Sequence, residues 1–211
     1  MAKLISGMIG TIKGKAGNIV VSSWKGNPYV KAVSKKRTVE YSIAEKANHS
    51  RFGMGHLWLQ PILEFVRIGF KNYSPTLEGF GAAFSHLLKY SIEGEKENAT
   101  VNPALVKVSH GDLALSDGLS VVKNAEGNFV FSWDMDIPQH TNVRDQIMML
   151  AYNPEEGGGI FMELTGQFRS SGNDILLVST RKRQTYHVYA AFISFDRNRR
   201  SHSQYLGVIT T

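Results

Sequence analysis

The sequence predicts an α+β protein in which an N-terminal β arm and a helical hairpin precede a C-terminal β-sandwich. Three observations lead to this fold class. Glycines and basic residues crowd the first 40 residues, apolar residues at helical spacing follow to about residue 92, and short β-prone segments separated by turns fill the remainder. We divide the chain into residues 1–40, residues 41–100 with a polar linker at 93–100, and residues 101–211.

The arm is predicted to be β-structured because glycine recurs too often for a helix. Each glycine inside a helix costs about 1 kcal/mol. The glycines that recur near the N-terminus are Gly7, Gly10, Gly14 and Gly17. Two β-prone segments, 19–21 and 29–33, flank the turn residues 25–27, and this order is typical of a hairpin.

The arm also carries the positive charge of the protein. Residues 1–39 hold eight of the 24 basic residues and none of the 18 acidic ones, so the rest of the chain has a net charge of −2. A basic arm attracts polyanions or an acidic protein surface, and it equally promotes solubility. The candidate interaction residues are the basic side chains and the tryptophan of the arm: Lys3, Lys13, Lys15, Trp24, Lys25, Lys31, Lys35, Lys36 and Arg37.

Helices are predicted between residues 42 and 92. Ser42 and Glu45 have the spacing of a capping box, which starts a helix. Pro61 should interrupt that helix, and Ser74 followed by Pro75 resembles an N-cap with proline at the first helical position. An apolar stripe at helical spacing follows, formed by Leu77, Phe80, Phe84, Leu87 and Leu88.

The C-terminal half is predicted to contain only strands. Glycine- and asparagine-containing turns separate the segments, and no helical pattern intervenes, which indicates a sandwich or a barrel. The predicted strands are 104–109, 119–123, 129–134, 146–153, 160–168, 175–179, 185–195 and 204–210. Alternation places Tyr186, Val188 and Ala190 on the core face and directs His187 outward.

Two of these segments resemble fibronectin type III domains. Residues 129–133 resemble the second strand of that fold, which ends at a core tryptophan, and residues 186–190 resemble its penultimate strand. The resemblance implies a fibronectin type III or immunoglobulin-like sandwich in which Trp133 and Tyr186 share one core. It implies nothing about chemistry, because this fold serves many functions.

The whole chain resembles a family of uncharacterised bacterial proteins seen chiefly in the Bacteroidota. The resemblance rests on the spaced N-terminal glycines and on Trp24-Lys25-Gly26 with Tyr29, Ser109-His110-Gly111-Asp112-Leu113, Trp133, Arg169-Ser170 with Gly172, and Ser201-His202-Ser203-Gln204-Tyr205-Leu206-Gly207. It supports this domain plan and implies no activity.

Composition narrows the function classes. The absence of cysteine excludes disulfides and thiolate metal sites and suits the cytoplasm. The N-terminus lacks the apolar core of a secretion signal, and no segment has the length and hydrophobicity of a membrane span. We therefore expect a cytoplasmic protein, or a virion protein if the chain derives from a phage.

No set of residues predicts catalysis, a cofactor or a metal. The segment 10–16 lacks the spacing and the hydroxyl residue of a phosphate-binding loop. His49 and His56 share a helical spacing but have no third ligand nearby, and no nucleophile elbow is present. The basic clusters at 181–183 and at Arg197, Arg199 and Arg200 are expected to be solvated loops at opposite ends of the sandwich.

These observations favour a non-enzymatic structural or assembly protein, phage-like or filamentous, that self-associates or docks in a larger complex. In this hypothesis the arm contacts a neighbouring subunit, and Trp24 anchors it there. The alternative is a nucleic-acid-binding protein in which the arm neutralises phosphates and Trp24 stacks on a base. An enzyme would need converging acid, base or nucleophilic groups that only folding assembles.

Overall fold

The computed structural model describes residues 2–3, 13–24, 26–94, 98–135, 137–155, 159–179 and 183–211. The chain divides into two compact units, Met1–Ser42 and Ile43–Thr211. The α+β fold class is confirmed, since N-terminal strands precede a helical segment and a sandwich of antiparallel sheets. Within these residues, every helix is too short or too polar to span a membrane.

The first unit contains a four-stranded antiparallel sheet. Its strands are β1 (Ala2–Lys3), β2 (Gly14–Ala16), β3 (Ile19–Trp24) and β4 (Asn27–Ala32), in the order β1-β4-β3-β2. The predicted hairpin is confirmed, because Trp24 pairs with Asn27 across the turn. The backbone N–H of Val33 donates to the Asn18 carbonyl, 2.9 Å away, and extends the pairing.

Three helices open the second unit. They are α1 (Ile43–Leu59), α2 (Leu63–Gly69) and α3 (Gly79–Tyr90). The predicted interruption at Pro61 is confirmed, since a 3₁₀ turn at Gln60–Ile62 separates α1 from α2. A short strand pair, β5 (Ile92–Glu93) with β6 (Thr100–Val101), follows α3.

The predicted break between helices at Ser74 and Pro75 is confirmed, but no helix starts there. These residues lie in the connection between α2 and α3, and α3 begins only at Gly79. The Ser74 hydroxyl accepts from the backbone N–H of Leu77, 3.0 Å away, and so closes a local turn instead of capping a helix. A serine hydroxyl satisfies either kind of turn, which is why the sequence did not distinguish them.

Seven strands form the C-terminal sandwich. They are β7 (Ser120–Lys123), β8 (Phe129–Ser132), β9 (Gln146–Tyr152), β10 (Ile160–Glu163), β11 (Asn173–Leu176), β12 (Thr185–Ile193) and β13 (Gln204–Thr210). One sheet has the order β11-β8-β7 and the other β10-β9-β12-β13.

The larger sheet is covered on both faces. Alternate residues of β9 and β12 face the smaller sheet and build one core, to which Trp133 and Tyr186 both belong, as predicted. The intervening residues, including Met148 and Tyr189, face the three helices and build a second core with them. The second unit therefore has three layers: helices, a four-stranded sheet and a three-stranded sheet.

The second core explains one difference from the prediction and the burial of a tryptophan. His187 does not point into solvent: it is half-buried on the helical side of β12, and its Nδ1 lies 2.9 Å from the Tyr205 hydroxyl. Trp58 of α1 is buried, and its ring packs edge-on against Tyr152 of the sheet, with centroids 5.0 Å apart. A strand covered on both sides has no outward face.

Two predicted strands are also corrected. Segment 104–109 is not a strand, because Pro103–Leu105 forms a 3₁₀ turn. The Asn102 side chain caps this turn by accepting from the N–H of Ala104, 3.0 Å away. Segment 160–168 is a strand only as far as Glu163, whose carboxylate accepts from the N–H of Thr165 and turns the chain.

Candidate interaction surface

The arm sheet presents two chemically different faces. In antiparallel sheets, directly paired residues share a face and successive residues alternate. The register pairs Lys15 with Val20, and Val20 with Lys31. On the opposite face, Gly14 pairs with Val21, and Val21 with Val30.

The first face, which we call the basic face, combines cations with aromatic rings. Its members are Lys15, Val20, Ser22, Trp24, Asn27, Tyr29 and Lys31. Lys15 and Lys31 are exposed, and 59% of Trp24 is exposed. The two lysines flank β3, so their backbones lie about two strand spacings, roughly 10 Å, apart. Such a face suits an anionic partner.

The second face, which we call the apolar face, lacks charge. Its members are Gly14, Ala16, Ile19, Val21, Ser23, Pro28, Val30 and Ala32. Ile19 is 46% exposed, and Val21 and Val30 are only half-buried. Within residues 13–24 and 26–42, no residue is buried, so these residues form no core of their own. Small sheets need such a core or a packing partner to be stable.

The structure gathers only part of the predicted interaction set on one face. It brings together Lys15, Trp24 and Lys31, and the register pairs Lys3 with Tyr29 on the neighbouring strand. The other predicted members are placed elsewhere: Lys13 precedes β2, and Lys35, Lys36 and Arg37 follow β4. Lys25 lies outside the described residues.

Arg37 contacts its own segment. Its Nε donates to the Val39 carbonyl, 2.8 Å away, and its guanidinium carbon lies 4.4 Å from the centroid of the Tyr41 ring.

Sequence reasoning missed Tyr29, which the register places on the basic face. Alternation along β3 shows which of its residues share a face with Trp24. Assigning Tyr29 to that face also requires the pairing of β4 with β3.

The arginines after β12 do not form a solvated basic patch. Arg199 lies 3.1 Å from the Asp112 carboxylate, and this contact holds the pKa of Asp112 below its usual range. Arg200 corrects the prediction, because only 3% of it is exposed. Its guanidinium donates to the carbonyls of Arg197 and Asn198, and burial lowers its pKa. Arg181 and Lys182 lie outside the described residues.

His56, one of the two histidines at helical spacing, packs against aromatic rings. The His56 ring contacts Phe80 and Phe84 edge-on, with centroids 5.4 and 6.4 Å away. Among the described residues, no group of three or more histidines and carboxylates is arranged to hold a metal ion.

A concave surface within the second unit brings together three other histidines. Tyr73, His86, Tyr90, Leu105, Lys107 and His110 line a cavity of about 460 Å³, which we call the histidine cleft. The His202 ring adjoins it, with its centroid 4.4 Å from that of His110 and 71° between the planes. The His86 centroid lies 6.5 Å from that of His110.

Close backbone packing positions these rings. The Ser109 hydroxyl donates to the Ser201 carbonyl at 2.8 Å, and the backbone N–H of Ser203 donates to the Ser109 carbonyl at 3.0 Å. The N–H of His110 donates to the Gly69 carbonyl at 3.0 Å. A Cβ on Gly69 would overlap the Val108 carbonyl, so only glycine permits this approach.

Burial and neighbouring cationic groups lower the pKa values of the three histidines. Burial, followed by Lys107 and the other histidines, lowers the pKa of His86 to about 4. Burial and then His202 lower the pKa of His110, and burial and then Lys107 lower that of His202. The cleft is thus a cluster of four groups that are cationic or can become so.

The family described as "Family of unknown function (DUF6266)" has a model that matches residues 11–207 of the chain. No curated protein and no solved structure matches the chain.

Proposed function

We propose, for a chain that belongs to the DUF6266 family of unknown function, a non-enzymatic role in assembly, in which the arm docks on a neighbouring copy of the chain. A filamentous or phage-like assembly is the form we expect. The observation that carries this proposal is the apolar face of the arm sheet, whose members are too exposed to form a core within the unit Met1–Ser42.

Burial of the apolar face would supply the stability that the arm sheet lacks. Fully burying an exposed valine contributes about 1.5–3 kcal/mol. Val21 and Val30, at the centre of the face, are only half-buried, and Ile19 is exposed. Docking on a protein surface would therefore add to the stability of the arm sheet.

Charge favours a second copy as the occupant. Residues 1–39 have a net charge of +8, and residues 40–211 have a net charge of −2. The rest of a neighbouring copy would attract the arm, and the attraction repeats from copy to copy. Contacts of this head-to-tail kind build rings or filaments.

The sandwich supports a structural role as well. We propose that it is of the fibronectin type III kind, because Trp133 follows its second strand, β8, and the segment from Tyr186 to Ala190 lies on its penultimate strand, β12. These are the positions that the resemblance implies. A cytoplasmic or virion location and a chiefly Bacteroidota distribution belong to the same proposal.

Two substitutions in β3 test the docking. Val21→Glu places a carboxylate on the apolar face and should weaken self-association at least about tenfold, because burying one valine contributes more than the 1.4 kcal/mol of a tenfold change. Val20→Glu is the matched control: it lies on the basic face between Lys15 and Lys31 and should leave self-association unchanged. Sedimentation velocity over a wide concentration range measures both.

Removing residues 1–37 gives an independent check. The described residues that form the two cores of the second unit all come from Ile43–Thr211, so the truncated chain should fold and yet lose assembly. A strictly monomeric full chain, or a truncated chain that keeps the full oligomeric mass, would contradict the proposal. Equal effects of Val20→Glu and Val21→Glu would show that charge alone, and not the apolar face, governs association.

Nucleic-acid binding is the second candidate, and the basic face favours it. Lys15 and Lys31 share that face with the rings of Trp24 and Tyr29, and proteins bind single strands by combining cations with aromatic rings. This function reverses the roles of the two variants. Val20→Glu should weaken binding of a fluorescent oligonucleotide at low salt, whereas Val21→Glu should not. No binding by the unmodified chain at low salt would exclude it.

A further inference from the structure

We propose that the histidine cleft is a binding site for a small oxyanion, such as a phosphate or sulfate group, that enters between Lys107, His86 and His110. The site lies entirely within Ile43–Thr211 and is independent of the arm. Every ionisable group on the lining of the cleft, including both tyrosines, can donate a hydrogen bond.

The electrostatics of the cleft are one-sided. The groups that lower the pKa values of the three histidines are all cationic: Lys89, Lys107 and the neighbouring histidines. They come from α3, from the segment after Pro103 and from the segment before β13, so the positive potential converges from separate parts of the chain. An anion in the cleft would relieve this repulsion.

The His86 ring is packed on one side into the protein. The Nδ1 atom of His86 is buried and makes no hydrogen bond within the described structure. His86 is held in place by Tyr90, whose ring centroid lies 4.7 Å away, and by Phe70 at 6.3 Å.

The cleft is also preorganised for recognition. The hydrogen bonds from Ser109 and His110 to Gly69 and Ser201 fix the His110 backbone before any ligand arrives. The Tyr73 ring contacts His110 edge-on, with centroids 4.9 Å apart. A rigid site loses little conformational entropy on binding, and its aromatic wall can contact an aryl group attached to the anion.

Protonation should be coupled to anion binding. A bound anion favours the imidazolium forms of His110 and His202, so their pKa values should rise when sulfate binds. Sulfate should bind about tenfold or more tightly at about pH 5 than at about pH 8, the range in which histidines titrate, because at least one proton is taken up with the anion. Sulfate is the suitable probe, since its own charge is constant in this range.

Histidine NMR spectra of the full chain test the proposal. Sodium sulfate is added at each pH, and sodium chloride of equal ionic strength is the reference. Phenyl sulfate and phenol separate the two features of the cleft: phenyl sulfate should bind more tightly than sulfate if the aromatic wall contributes, and phenol should bind more weakly than either.

Lys107→Gln supplies the matched variant test. It should weaken sulfate binding about tenfold, the loss expected for one charge-assisted hydrogen bond. Lys71→Gln removes an exposed lysine that is not among the charges acting on the three histidines, and it should change nothing. Histidine signals that respond equally to sulfate and chloride, equal effects of the two variants, or phenol binding as tight as that of sulfate would each overturn the proposal.

Discussion

Replacing Arg169 with methionine is expected to lower the free energy of unfolding by about 3–5 kcal/mol, the range observed when one partner of a buried ion pair is removed. Arg169 is fully buried in the turn before β11, and its Nε lies 3.8 Å from the equally buried Asp145 carboxylate. Burial lowers the pKa of Arg169, and the attraction of Asp145 opposes that shift.

The guanidinium joins distant parts of the chain. It donates to the Ser116 hydroxyl at 2.6 Å and to the Ala114 carbonyl at 2.8 Å, and its carbon lies 4.1 Å from the centroid of the Phe192 ring. Methionine fills similar space but leaves the Asp145 carboxylate without its cation and the Ser116 and Ala114 oxygens without their donor. Chemical denaturation of the variant measures the loss.

Arg67→Met is the matched control for this prediction. The Arg67–Glu64 pair is shorter, at 3.0 Å, but both side chains are more than half exposed. Exposed pairs contribute at most about 1 kcal/mol, so the control should change stability by less than that. Arg169→Met combined with Asp145→Asn should be less destabilising than the sum of the single changes, because neither partner is then left charged and buried. Additive losses would refute the pairing.

Replacing Trp133 with alanine should also lower the free energy of unfolding by about 3–5 kcal/mol, as expected for a large aromatic side chain in a core. Only 5% of Trp133 is exposed, and its ring packs edge-on against Phe192, with centroids 5.6 Å apart. Its Nε1 donates to the Arg169 carbonyl at 2.7 Å. The alanine variant loses all of these contacts.

Two further variants identify the cause. Trp133→Phe keeps most of the ring contact and removes the Nε1 donor, so its loss should be about 1–3 kcal/mol. Trp24→Ala removes a tryptophan that is 59% exposed in the other compact unit, and the unfolding of Ile43–Thr211 should change by no more than about 0.5 kcal/mol. A loss below about 1 kcal/mol for Trp133→Ala would contradict the core assignment.

Local sequence patterns were sufficient for most of the strands and for the helix interruption. Residues 129–132 alternate between core and periphery, and alternation is visible without knowing any partner strand. Pro61 interrupts α1 because its ring has no N–H to donate, whatever surrounds it. The hairpin at residues 19–32 follows from β-prone segments around a glycine-containing turn.

The packing of the helices on the larger sheet could not be predicted in this way. The strand at Gln146–Tyr152 is an almost continuous apolar run, and such a run indicates that both faces are buried without showing what covers each. The structure assigns one face to the smaller sheet and the other to the three helices. His187 was misplaced for this reason, since its direction was inferred from one core when there are two.

For the arm and the histidine cleft as well, the sequence determined some properties and the tertiary structure decided the others. Composition determined that the arm is basic and glycine-rich, because charge and backbone freedom are properties of the residues themselves. Which lysines share a face with Trp24 depended on strand register, a non-local property. The histidine cleft and the burial of Arg169 depended on contacts between segments far apart in the chain, such as the hydrogen bond from Ser109 to Ser201. Packing of the folded chain decides those contacts, and no short-range spacing in the sequence records them.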